Sequence, residues 1–280
     1  MTLTHNTAPT LFIEASGVRY AHRRFGAATG VPLVFLQHFR GGLDNWDPLV
    51  TDGLAATRPV ILFNNAGVAS SGGEPADSVA GMAAHVLRFL DAMGLKQVDV
   101  LGFSLGGFVA QQLAADAPTR ARRLILAGTG PRGGEGMDSL SPDVLAHATT
   151  PESSEEDFLY LFFAPSETSR SAGRAFWSRR HERKDQDLPS SPAAMQTQGQ
   201  AIAAWGAPAE PSSQGLDRIR QPTLVVNGHN DIMVPTINSF RLQQGLRNAT
   251  LILYPDSGHG ALFQYARQFV RSATDFLNAD

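Results

Sequence analysis

Short apolar strands alternating with helix-period segments predict an α/β fold for this 280-residue chain, with a mostly parallel sheet covered by helices on both faces. Three observations carry that prediction. Runs such as Leu33–Gln37, Val98–Phe103 and Thr223–Val226 are almost continuously apolar, the pattern of strands buried on both faces. Between the runs lie segments whose apolar residues recur at helical spacing. The alternation breaks once, from Pro131 to Gln221, where helical patches occur without a convincing strand. That break predicts an inserted helical segment.

Met1–Thr10 is polar and is expected to fray. Leu11–Ala15 and Val18–Phe25, separated by Ser16-Gly17, read as a β-hairpin. Val60–Phe63, Arg123–Ala127 and Leu251–Tyr254 complete the strands. Asp77–Met93 reads as a helix because Val79, Met82, Val86, Leu90 and Met93 share one face and Gly94 stops it. Leu105–Ala117, ended by Pro118, is a second helix, and Leu262–Leu277 closes the chain. The expected division is a core of 1–130 and 216–280, with 131–215 inserted after the sixth strand.

The insertion is punctuated at Pro142, Pro151, Pro165, Pro189-Ser190-Ser191-Pro192 and Pro208–Pro211. It is rich in aromatic residues: Phe158, Phe162, Phe163, Phe176, Trp177 and Trp205. Any one ring is more readily explained by packing, but several should face a ligand, because small-molecule pockets are largely apolar and aromatic. Phe162, Trp177 and Trp205 are the candidates. The run Arg179-Arg180-His181-Glu182-Arg183-Lys184-Asp185 mixes charge signs and reads as a solvated helix face rather than a nucleic-acid contact.

Composition narrows the function. The chain is 42% hydrophobic and 18% charged, with a net charge of −3, which argues against a nucleic-acid partner. It has no cysteine, so disulfides and thiolate metal sites are excluded. No apolar run approaches the roughly 20 residues needed to span a bilayer. With no secretory pattern at its start, the chain is expected to be cytoplasmic. No histidine pair with the spacing of a helical zinc site and no phosphate-binding glycine loop occurs, so neither metal nor cofactor is expected.

The most informative segment is Val98-Asp-Val-Leu-Gly-Phe-Ser-Leu-Gly-Gly-Phe-Val-Ala110. A strand ends, Ser104 follows between Gly102 and Gly106, and a helix begins: the setting in which G-x-S-x-G forms a nucleophile elbow. Glycine is needed two residues to either side because a Cβ there would clash with the tight turn. Downstream, Asp231 lies just past an apolar strand and the Asn227-Gly228 turn, and His259 follows Leu251–Tyr254. In a parallel sheet these strand ends gather along one ligand-binding edge.

With these residues in this order, the sequence resembles the α/β-hydrolase superfamily over nearly its whole length. The resemblance implies Ser104 as nucleophile, His259 as general base and Asp231 as its orienting carboxylate. It also implies a helical cap and two backbone oxyanion donors, the first being Leu105 N–H. Many relatives carry His-Gly-x after the third strand, with a Trp nine positions beyond the His. Counting back from Trp46 reaches Gln37, which makes Phe39 N–H the second donor and puts His38 where glycine is usual. The competing register would make Arg40 the donor. His38 then either packs under the loop or narrows the site, and Arg40 is either exposed or meets a substrate carboxylate or carbonyl. His229 is a weaker lining candidate.

The expected activity is a serine hydrolase of small, apolar carboxylic esters or lactones. Cofactor-free haloperoxidases, also called perhydrolases, and carbon–carbon bond hydrolases use the same triad and remain alternatives. A hydrolase-like ligand receptor is the non-enzymatic one. Oligomeric state is left open.

Overall fold

The computed structural model describes residues 3–209 and 215–279. An eight-stranded sheet is formed by β1 (Leu11–Ala15), β2 (Val18–Gly26), β3 (Leu33–Leu36), β4 (Pro59–Phe63), β5 (Val98–Phe103), β6 (Ala121–Ala127), β7 (Thr223–Gly228) and β8 (Ala249–Tyr254). Their order is β1-β2-β4-β3-β5-β6-β7-β8. β1, β2 and β4 pair antiparallel, and every later pairing is parallel. Sheet order doubles back at β3, and ligands in open parallel sheets bind beyond the carboxyl ends of strands near such a reversal.

The pleat divides the core. Leu33 and Phe35 pack on one face with Leu54 of α1 (Pro48–Ala55) and Phe269 of α10 (Ala266–Asn278). Val34 and Leu36 pack on the other with Val86 of α2 (Val79–Ala92) and Leu113 of α3 (Leu105–Asp116). Among the described residues, four α-helices lie between β6 and β7: α4 (Pro142–Ala148), α5 (Glu155–Phe162), α6 (Glu167–Arg180) and α7 (Pro192–Gly206). Ser141, Ser154, Ser166 and Ser191 each cap one of them by accepting a backbone N–H. No strand occurs in this stretch among the described residues.

Several expectations need correction. Thr4–Thr10 does not fray: His5 is fully buried, its N–H donates to Asp52 and its ring meets Thr51 at 2.9 Å. The closing helix is two, α9 (Ala261–Gln264) and α10, parted at Tyr265. The helices α1 and α8 (Ile237–Gly245) went unread because Pro48 and a polar composition blur their periodicity. The Arg179–Asp185 run is no solvated helix face. α6 ends at Arg180, Arg179 bonds Asp47 at 2.6 and 3.0 Å, and Arg183 is buried against the His5 and Asn6 carbonyls.

Candidate active site

Ser104 sits between β5 and α3 with φ 55° and ψ −120°, a backbone state that costs a non-glycine residue about 1–3 kcal/mol. The surroundings impose it. Ser104 N–H donates to Ala127 O at 2.9 Å, while Ser104 O accepts from Gly107 N at 2.8 Å and Thr129 Oγ1 at 2.9 Å. The flanking glycines are steric requirements. A Cβ on Gly102 would stand 2.3 Å from Gly106 O, and one on Gly106 would stand 2.0 Å from Leu36 O.

His259 follows β8, and its Nδ1 lies 2.7 Å from Asp231 Oδ2 beyond the end of β7. Both are buried. Asp231 Oδ1 accepts the Met233 and Val234 N–H groups at 2.8 and 2.9 Å, and its own N–H donates to Thr236 Oγ1. Those bonds fix the carboxylate and direct Oδ2 at the imidazole. An ionised carboxylate only accepts, so Nδ1 carries the proton and Nε2 presents a lone pair. The ring packs against Phe103 and, edge-on, Phe162, at centroid separations of 4.9 and 5.4 Å. Ser104 and His259 open on one cavity of about 390 Å³ without a direct hydrogen bond between them. Such bonds commonly tighten only when substrate is bound.

Leu105 is the first residue of α3, where an N–H has no intrahelical acceptor. After β3, Gln37 Oε1 accepts from His38 N, and Gln37 Nε2 donates to Gly42 O, which folds the loop over the elbow. Arg40 N–H is engaged by Gln198 Oε1 of α7 at 2.7 Å, whereas Phe39 N–H has no partner among the described residues. Of the two candidate donors from this loop, Phe39 has the free one.

His38 lies in the cavity wall, edge-on to Phe103 and Phe162 at 5.5 and 5.3 Å. Its Nδ1 meets Phe39 O at 2.8 Å; a carbonyl only accepts, so Nδ1 donates and Nε2 is a buried, unpartnered acceptor. Burial pulls its pKa down to about 3, leaving the ring neutral at ordinary pH.

Phe162 and Trp177 also line the cavity. Trp205 does not. It stacks on Phe108 at 5.2 Å on the other face of the sheet and donates toward Gly130 O, because α7 turns that face to α3. His229 is exposed and absent from the wall. Arg40 reaches the cavity, but its guanidinium donates to the Ala148, Thr150 and Pro151 carbonyls, pinning the end of α4 to the core.

Sequence reasoning missed Arg180 and Gln198. Arg180 lies in the cavity wall, its guanidinium carbon 4.4 Å from the Phe158 ring centroid and 4.9 Å from that of Trp177. Burial lowers its pKa to about 10, so it stays cationic near neutrality. A signal was present: Trp177 and Arg180 are three apart and share a helix face. Gln198, mid-helix and 158 residues from Arg40, left no such trace. The described residues hold no cluster suited to a metal and no helix long and apolar enough to cross a membrane.

A family model for the alpha/beta hydrolase fold matches residues 31–265. The chain belongs to that family. A solved alpha/beta hydrolase fold protein from Chitinophaga pinensis superposes with a TM-score of 0.94 at 44% identity, covering 99% of this chain and 100% of that one. The dihydrolipoyllysine-residue acetyltransferase component of the acetoin cleaving system of Cupriavidus necator is 30% identical over 92% of this chain, which spans 65% of that relative's length. The pimeloyl-[acyl-carrier protein] methyl ester esterase of Nitrosomonas europaea is 29% identical over 61% of this chain and 68% of its own.

Proposed function

We propose that this α/β-hydrolase cleaves carboxylic esters or lactones of small, largely apolar molecules through an acyl-enzyme on Ser104. The observation that carries the reading is the 2.7 Å contact of His259 Nδ1 with Asp231, in a cavity that also receives the hydroxyl of an elbow-strained serine. With Nδ1–H held by Asp231, His259 Nε2 takes the Ser104 proton as Oγ attacks the ester carbonyl. The Phe39 and Leu105 N–H groups stabilise the oxyanion, a role worth roughly 100- to 1000-fold in rate per donor. The tetrahedral intermediate expels the alcohol, which receives the proton from His259. Water, deprotonated by the same nitrogen, then releases the acid and restores Ser104. His38, neutral and bonded to Phe39 O, orders the donor loop and is no second base.

Residues 131–215 act as the cap, supplying Phe158, Phe162 and Trp177 as the apolar wall that excludes water. The named esterase among the relatives supports ester chemistry. The test is Ser104→Ala, which should abolish hydrolysis of p-nitrophenyl esters and labelling by a fluorophosphonate while leaving the melting temperature unchanged. Retained turnover would remove Ser104 from its role.

A further inference from the structure

Arg180 lines the cavity, yet the ester reaction leaves it unused. Its Nε and Nη1 are buried and make no hydrogen bond among the described residues. It also forms no ion pair with them, although three carboxylates, Asp44, Glu152 and Asp187, line the same cavity. Glu152 is exposed to solvent, and the two aspartates are committed elsewhere. Asp44 is held by two bonds from Arg23 and accepts Asp187 N–H, and Asp187 accepts from Asn64, Ser70 and Leu188 N–H. The preceding arginine marks the contrast, since Arg179 is fully paired with Asp47. A guanidinium removed from water without acceptors is costly, and a ligand that supplies them recovers that cost.

The geometry also limits what the ligand is. The guanidinium carbon lies over the rings of Phe158 and Trp177, which offer it no hydrogen-bond acceptor, so acceptors must come from a ligand in the cavity. A planar fork of N–H donors matches a carboxylate bidentately. Phe158 stacks on Phe162 at 4.9 Å, and Phe162 meets His259 edge-on, so an apolar wall separates the cation from the catalytic base.

We propose that the cavity selects ester or lactone substrates bearing a free carboxylate, anchored by Arg180 and joined to the scissile carbonyl by an apolar body. This rests on the hydrolase reading above, and the test separates the two. Turnover is compared within two matched pairs: the mono-p-nitrophenyl ester of adipic acid against p-nitrophenyl hexanoate, and 3-carboxyphenyl hexanoate against phenyl hexanoate. The wild-type protein should favour the carboxylate member of at least one pair by about 10- to 100-fold in kcat/KM, the worth of a charged hydrogen-bonded anchor. Arg180→Gln should bring that ratio close to one, and Arg180→Lys should restore part of it. Neutral and charged esters turned over alike by the wild type, or a ratio unchanged in Arg180→Gln, overturn the proposal. Binding is read independently of turnover by melting temperature. Hexanoate should stabilise the wild type and hexanamide should not, with the hexanoate response lost in Arg180→Gln. If no ester reacts but that binding pattern holds, the hydrolase reading fails and the anchor stands. If hexanoate and hexanamide act alike, the anchor fails.

Discussion

The strand-end edge and the helical insertion form opposite walls of one cavity, yet different forces hold them. At the edge the backbone does the positioning. The Ser104 turn is clamped by two main-chain hydrogen bonds and one from the Thr129 hydroxyl, and Asp231 is fixed by two amides of its own loop. The insertion is tied on by long polar side chains crossing between distant segments: Arg40 to the carbonyls of 148–151, Gln198 to Arg40 N, Arg179 to Asp47 and Asp187 to Asn64. Backbone-built geometry is written in short motifs. Side-chain tethers leave almost no local signature, and they can be loosened one at a time.

Perturbing the edge should have the larger effect on chemistry. Asp231→Asn removes the acceptor that sets the His259 tautomer, and kcat should fall about 10,000-fold with little change in KM. Ester kinetics at pH 7 check this; a loss under tenfold would mean that another group orients the imidazole.

Loosening a tether should affect binding instead. Arg40→Gln removes the bonds to residues 148–151, and stability should drop by about 1–2 kcal/mol for this half-buried group. Hydrogen exchange should quicken at residues 148–151, with KM rising more than kcat falls. Unchanged exchange there would show that packing, not the arginine, holds α4.

Acid sharpens the contrast within the core. Burial lowers His38 to about 3 and His5 to about 4, both from 6.5 in the free residue. Below pH 6.5 the unfolded chain takes up protons that the folded chain refuses. Stability is therefore complete above that pH and declines below it, by at most about 1.4 kcal/mol per pH unit for each histidine. Urea unfolding at pH 7 and pH 5 should show the decline, and His38→Gln should reduce the slope.

Much of the fold was legible because each strand repeats its own evidence. β1 and β5 have the predicted limits, while each of the other strands moved at one end by one or two residues. Ser104, Asp231 and His259 were legible for a related reason, since each follows a strand end that the apolar pattern marks. The insertion was read as helical, but not which way its side chains point. Phe162 and Trp177 face the cavity while Trp205 packs on Phe108 across the sheet, and Arg179 and Arg180, adjacent in sequence, have opposite fates.

The amino-acid order by itself determined the alternating architecture, the strained serine turn and the residues available for proton transfer, because steric demands and hydrophobic period act over a few neighbours. Only the tertiary structure decided which loop amide stays free, which aromatic rings wall the cavity and which arginine makes no ion pair among the described residues. Those outcomes depend on what lies opposite each side chain, and the partners stand tens to more than a hundred residues away.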